Sequence, residues 1–372
     1  DVAKDFILFR ERQSKERKLP WKYKLLSKEF LSKYKKVKNP MNPLGSFVYY
    51  RTYSRWLEDK GRREYWWETV ARAVDYNCSL AYTTKKEAEK LFDNIFNLRQ
   101  FLSGRTFWVG GTEVAKHYKT SNFNCATIKI DSFNAYKDMF YLLIVGSGVG
   151  FRVLHKDVSQ LPMIRNDMNV LHEHYNAVAK HARREYTGLE FAGDVATITI
   201  GDSKEAFTQA LDFFLKLHYS KEYRKVNNII INYDNIRPYG ERLKTFGGTA
   251  SGHESMYNMM QKFEKTIQDS NGKLEPIEAM DLANIIAENV VVGGTRRSAQ
   301  ICMIDADDNE IIDAKTNLYK QVDGEWIVNK DIVHRQMSNN SIYYFIKPTR
   351  EKLHWQMNAM RYNGEPKQSW AL

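Results

Sequence analysis

The chain has 372 residues, 43% hydrophobic and 13% aromatic, enough for two or three domains or one large α/β unit with a real core. Its longest apolar run, MFYLLIV, is far short of the roughly 18 residues of a membrane span. Three cysteines without a C-x-x-C pair give neither a disulfide framework nor a thiolate metal site. The formal charge of +11 is uneven, because residues 1–40 hold 13 Lys/Arg against 5 Asp/Glu.

The opening stretch, DVAKDFILFRERQ, has charges on both sides of a short apolar patch and no small-residue cleavage site. A soluble, cytoplasmic chain with no membrane partner is therefore expected. Residues 1–45 read as a basic N-terminal arm. Within it KYKLLSKEFLSKYKKVKNP reads as an exposed helix with a solvated charged face, in preference to a phosphate-facing surface, so no direct nucleic-acid partner is expected. The breaker cluster NPMNPLG at 39–45 marks the boundary to a helical subdomain, residues 46–106. There YRTYSRWLEDKG and REYWWETVARAV, at 50–74, read as helical. A capping box, Thr84-x-x-Glu87, opens a second helix with apolar Ala88, Leu91, Ile95, Leu98 and Leu102.

From Phe107 to the last residue, strands and helices alternate. CATIKI is a strand, SFNAYKDMFYLLIV a helix stopped by Gly146, and GFRVL the next strand. DVATITI and NNIIINY are strands flanking the helix KEAFTQALDFFLKLHY. PIEAMDLANIIAENVV is a helix from Pro276 to the stop at Gly293 and Gly294, and RSAQICMI and NSIYYFI are buried strands. Such alternation predicts parallel strands covered by helices. The irregular NDMNVLHEHYNAVAKHARREYTGLEFAGD breaks the pattern and marks an insertion at about 155–226.

Two glycine clusters stand out. GSGVG at 146–150 follows a helix and precedes a strand, the reverse of a dinucleotide fingerprint. Gly146 alone would cap the helix, and the further glycines favour close approach of a ligand to backbone N–H groups. FGGTASGHES at 246–255 has no Lys after its last glycine and so is no P-loop. A mobile ligand-sensing loop and a plain surface turn both stay open. In GGTRRSAQI, alternation sends Arg296 and Arg297 to opposite faces, to bind an anion or to form a structural salt bridge. Asn339 and Asn340 read as a turn-fixing pair.

Taken in order, SGRTFWVGGTE, NCATIKI, GSGVGFRV, GDSKEAF, YDNIRPYGERLKTFGGTASG, GGTRRSAQI, MSNNSIYY and YNGEP resemble the catalytic chain of class II, adenosylcobalamin-dependent ribonucleotide reductases, most of all the monomeric ribonucleoside-triphosphate reductases. The resemblance runs from about residue 48 to 366. It implies an α/β fold: an N-terminal helical region, then about the first half of a ten-stranded α/β barrel carrying an effector-site insertion. It also implies that Cys125 is the first thiol of the redox pair that reduces the ribose, with Ser103, Asn124, Ser147 and Gly148 at the substrate. Against this stands the reading of Cys125 as an inert small hydrophobe. The resemblance further implies a specificity loop with Gly247, Gly248, Thr249 and Ser251, and effector contacts from Asp202 and Ser203. For the latter two a D-x-x-E helix cap, Asp202 with Glu205, is the competing reading. Cys78 and Cys302 read as core residues.

The partners so implied are a ribonucleoside triphosphate substrate, a deoxynucleoside triphosphate effector and a thioredoxin-like reductant. Adenosylcobalamin would be bound mostly by a C-terminal part. The Asn-Pro-Cys-x-Glu motif of the radical cysteine is not in these 372 residues, whose Asn-Pro pairs precede Met and Leu. The expectation is an interrupted gene product, inactive without a complementary C-terminal chain. A non-catalytic deoxynucleotide-binding module is the alternative.

Overall fold

A computed structural model of the chain describes residues 24–117, 119–241, 249–292, 295–296, 299–365 and 367–370. The chain divides into two compact units, residues 1–123 and 124–372.

The first unit is built on α1 (Trp66–Ser79) and α2 (Lys85–Phe96). Apolar residues three and four apart place Val70, Ala73 and Val74 of α1 against Ala88, Phe92 and Ile95 of α2, all fully buried. The capping box forms, with Thr84 N–H donating to Glu87 at 2.8 Å and Glu87 N–H to the Thr84 hydroxyl at 3.3 Å. The helix stops sooner than its apolar spacing predicts, since Leu98 takes a left-handed φ of 60°. The stretch expected to be helical from residue 50 is instead a π-helical turn, Tyr49–Tyr53, followed by a two-residue hairpin of Trp56–Leu57 with Arg62–Arg63. Buried Glu64 organises that departure. Its carboxylate takes Arg72 at 2.7 and 2.8 Å and the Thr69 hydroxyl at 2.7 Å, which fixes the chain entering α1. The basic segment from residue 24 is laid on the helix pair: Leu25 and Leu26 N–H donate to Asp75 at 3.0 and 3.2 Å, and the Tyr34 hydroxyl to Asp93 at 2.8 Å.

The second unit runs β1 (Cys125–Lys129), α3 (Asn134–Ile144), β2 (Gly148–Arg152), β3 (Asn169–His172), β4 (Gly188–Ala192), β5 (Val195–Thr199), α4 (Lys204–Tyr219), β6 (Asn228–Asn232), α5 (Glu254–Asp269), α6 (Pro276–Asn289), β7 (Gln300–Asp305), β8 (Ser338–Tyr344), α7 (Arg350–Asn363) and β9 (Lys367–Trp370). One sheet has the order β9-β8-β7-β2-β1, every pair parallel. The α/β class and a five-stranded parallel half are thus as expected.

The alternation read along the chain serves two sheets, however. The second has the order β3-β6-β5-β4, parallel except for β4 against β5, and takes in DVATITI and NNIIINY. Period two alone does not say which sheet a strand joins. A second hairpin, Tyr319–Val322 with Glu325–Val328, turns at Asp323 (φ 51°) and Gly324 (φ 86°), an Asp-Gly signal that the sequence carried.

Both sheets pack one side on helices. Val149, Phe151, Cys302, Ile304 and Ile342 of the first lie in one core with Met139 and Leu143 of α3 and Met280 and Ala283 of α6. In the same core Ile198, Ile229 and Ile231 of the second sheet join Leu211 and Phe214 of α4 and Met259 and Phe263 of α5.

Within α4, buried His218 donates from Nδ1 to the Phe214 carbonyl at 2.7 Å, and burial pushes its pKa down to about 4. The unfolded chain therefore binds a proton that the native chain refuses between pH 6.5 and 4, so stability falls as pH drops through that window, by on the order of 3 kcal/mol at pH 4. Thermal midpoints between pH 7 and 4 will show this slope, and His218→Phe will flatten it.

Candidate functional site

Cys125 opens β1, the edge strand of the parallel sheet, and is exposed. Parallel register sets it opposite Gly148 of β2 and sets Thr127 opposite Gly150. Beyond, Gly150 pairs with Ile301 of β7 and Ile301 with Asn339 of β8. These residues share one side of the pleat, and along it Cys125, Thr127, Ile301 and Asn339 are exposed. The side opposite the helices is therefore open where the strands begin. Asn340, one residue on, faces the buried side, so the pair does not fix a turn.

The glycines divide their work. Gly146, at φ 85°, ends α3: its N–H donates to the Leu143 carbonyl and that of Ser147 to Leu142, both at 2.9 Å, a Schellman cap. Strand β2 then begins earlier than expected, so Gly148 and Gly150 lie in the strand and not in a turn. A Cβ on Gly148 would meet the Asn124 and Ala299 carbonyl oxygens at 3.5 Å, and one on Gly150 would meet Thr127 Cγ2 at 3.6 Å, ordinary contact distances. Packing thus does not demand glycine at either place. What its absence of side chain provides is bare strand beside the thiol.

Ser147 is fully buried, and Asn124 is exposed with its carbonyl accepting the Gly148 N–H at 2.7 Å. Ser103 belongs to the other unit. There it caps the short helix Gly104–Val109, accepting the Thr106 N–H at 3.1 Å, while Arg72 holds the Phe107 and Gly110 carbonyls at 2.9 and 2.6 Å. The other two thiols are of a different kind. Cys78 is buried in the first unit, and Cys302 lies on the helix-facing side of β7, opposite Phe151, where burial pushes its thiol well up. No two of the three cysteines form a dithiol among the described residues.

A second constellation surrounds the neck of the 246–255 loop. Gly247 and Gly248 lie outside the described residues, as do Arg297, Gly293 and Gly294; Thr249 is exposed. The neck is clasped by Gly240 N–H to Ala250 O at 3.0 Å and Ala250 N–H to Glu241 O at 2.7 Å, and Ser251 Oγ is 3.4 Å from Ser255 Oγ. Asp202 does not cap α4. Ser203 does, accepting the Ala206 N–H at 3.0 Å, and its hydroxyl donates to the Glu185 carbonyl at 2.6 Å. Asp202 is thereby released to pair with Arg237 Nε at 2.9 Å, with Arg183 Nη1 3.5 Å away. Arg183 also reaches Glu241 at 2.9 Å, which ties the base of the neck to the start of α4. The His253 ring stacks on Tyr175 with centroids 3.8 Å apart. Arg183, Arg237 and Glu241 escaped the sequence reading, although Arg237 and Glu241 sit inside the quoted YDNIRPYGERLK. No group of three or more His, Cys, Asp or Glu suited to a metal occurs among the described residues.

Comparison with known proteins bears on both constellations. The ribonucleotide reductase alpha domain matches residues 26–112, and the insertion domain of B12-dependent ribonucleotide reductase matches residues 163–267. The adenosylcobalamin-dependent ribonucleoside-triphosphate reductase of Lactobacillus delbrueckii subsp. bulgaricus is 30% identical over 349 residues, covering 82% of this chain and 47% of its own length. That of Lactobacillus gasseri is 26% identical over 386 residues, covering 92% and 50%. A crystal structure of a B-12 dependent (class II) ribonucleotide reductase superposes with a TM-score of 0.76 at 28% identity, over 92% of this chain and 51% of that one. The chain spans about half the length of these relatives.

With a thiol reagent such as DTNB under native conditions, one of the three cysteines will react rapidly and Cys125→Ser will abolish that phase, while the other two wait for unfolding. Asp202→Ala takes the carboxylate from Arg237, while Arg183 keeps Glu241, and will destabilise the second unit by about 1–2 kcal/mol in urea titration, with Asp202→Asn costing less.

Proposed function

We propose, for a chain that belongs to the B12-dependent (class II) ribonucleotide reductase family, that these 372 residues form the part of a ribonucleoside-triphosphate reductase that presents the first reducing thiol and the effector loop. The observation that carries the reading is the exposed thiol of Cys125 beside the bare β2 strand on the open side of a parallel half-barrel. The ribose of a ribonucleoside triphosphate lies along Gly148 and Gly150, with the exposed Asn124 at its rim. Loss of the 2′-hydroxyl as water and formation of a C2′–H bond consume two electrons and two protons. Cys125 and a second thiol supply them and become a disulfide.

Neither Cys78 nor Cys302 is that second thiol, as both are buried. It comes from a complementary chain supplying the remaining length of the relatives, and a thioredoxin-like reductant restores the pair. Adenosylcobalamin, when bound, supplies the radical chemistry that activates the ribose. No residue of this chain is assigned to holding it. A deoxynucleoside triphosphate effector binds at the loop neck, where Asp202, Arg183 and Arg237 couple α4 to the loop of Thr249 and Ser251. The free thiol favours this reading over a binding module without chemistry. Among the described residues no helix is long and apolar enough to cross a membrane, and the proposed location is cytoplasmic.

Mixed with a polypeptide carrying the other half of its relatives' length, adenosylcobalamin and a dithiol, the chain will reduce ribonucleoside triphosphates; a properly folded mixture that makes no deoxynucleotide refutes the proposal. Gly148→Ala will shift the thermal midpoint of the chain by no more than about 2 °C, because its Cβ has room, but it will lower kcat/KM of the mixture at least tenfold through a methyl group set against the sugar.

A further inference from the structure

We infer that the first unit binds single-stranded nucleic acid on its exposed lysine-rich face, through the phosphates and base faces and without regard to sequence or sugar. The whole positive charge of the protein resides in this unit. Residues 1–123 hold 26 Lys/Arg against 14 Asp/Glu, whereas residues 124–372 hold 30 against 31.

In sequence the lysine-rich stretch reads as a solvated helix face, but the structure fixes it in place. Leu26, Phe30, Leu31 and Tyr34 turn inward onto the core of α1 and α2, and Asp75 anchors the backbone at Leu25 and Leu26. Lys24, Lys28, Lys33, Lys35, Lys36 and Lys38 are consequently all exposed on a backbone that is held. No ion pair joins any of the six to a carboxylate among the described residues. An array of cations held in place, none of them in an ion pair among the described residues, suits a regular polyanion, since each contact releases counterions at little further ordering cost.

Aromatic rings continue this ridge, Trp67 half-buried and Tyr65, Phe47 and Trp56 exposed. Lys35 Nζ lies 5.7 Å from the Trp67 ring at the first turn of α1, and Tyr65, the residue before that turn, has the Arg62 guanidinium 4.0 Å from its ring centre. Phe47, with Arg51 at 5.6 Å, and Trp56 of the hairpin are both more than half exposed. Rings flanked by cations are the platform on which unpaired bases stack while their phosphates are neutralised. A duplex keeps its base faces stacked and would use only the lysines. An anionic membrane would need the rings gathered on one face of an amphipathic helix, and here they come from a short helix, a hairpin and a helix cap.

The test is fluorescence anisotropy of the full chain with labelled dT20, in saturating deoxynucleoside triphosphate so that nucleotide sites do not contribute. Expected are binding at 50 mM salt, a loss of about 50-fold between 50 and 200 mM salt for roughly four phosphate contacts, and rU20 bound within about threefold of dT20. The variant Lys33→Glu/Lys35→Glu/Lys36→Glu will weaken binding at least tenfold with an unchanged thermal midpoint. Phe47→Ala/Trp56→Ala will weaken it severalfold while keeping the salt dependence. The inference is overturned by no binding at 50 mM salt, by full binding in the folded lysine variant, by a ring variant that binds as tightly as the parent, by duplex bound more tightly than single strand, or by capture on phosphatidylserine vesicles without dT20 binding. None of these readouts depends on ribonucleotide reduction.

Discussion

Successive side chains of a β-strand point to opposite sides of the sheet, and this two-residue period decides what Cys125 can do. Val149, Phe151, Cys302, Ile304 and Ile342 must face α3 and α6, because together they make the core of the second unit. Once they do, Cys125, Gly148, Gly150, Ile301 and Asn339 are compelled to the other side. A slip of one residue in β1 would turn the thiol toward the core, together with Thr127 and Lys129, and set Ala126 and Ile128 beside the glycines. The energy that enforces the register is the burial of those apolar side chains, each worth about 1.5–3 kcal/mol. The position of the thiol is thus held by core residues on the opposite side of the sheet.

The same economy governs the loop neck. Ser203 takes over the cap of α4, and this frees Asp202 to hold Arg237 at 2.9 Å with Arg183 nearby. Arg183 in turn holds Glu241, one of the two residues through which the neck closes on Ala250. A ligand that rearranges the Asp202 pair therefore acts on the loop through two ion pairs and two backbone hydrogen bonds.

Much of this was legible in the sequence. The helices α2, α3, α4 and α6 carry their apolar spacing openly, whereas α5 drew no helical reading, and the order of the motifs named the family. Three features were not legible, for physical reasons. Strand periodicity cannot tell which sheet a strand joins, so DVATITI and NNIIINY were legible as strands but not as members of a second sheet. The non-helical stretch before α1 is set by Glu64 and its contact with Arg72, eight residues away, which no local propensity reveals. Finally, Asp202 and Ser203 are both good capping residues, and only the partners Arg237 and Glu185, brought in from elsewhere in the chain, decide between them.

The central claim, that Cys125 gives electrons to the ribose, is tested most directly by a single turnover of the reconstituted enzyme without added reductant, quenched in alkylating reagent and mapped by mass spectrometry. The account predicts one Cys125 disulfide, to a cysteine of the length that the relatives have beyond these residues, for each deoxynucleotide formed, and no product from Cys125→Ser. Product formed while Cys125 remains a free, alkylatable thiol would contradict it.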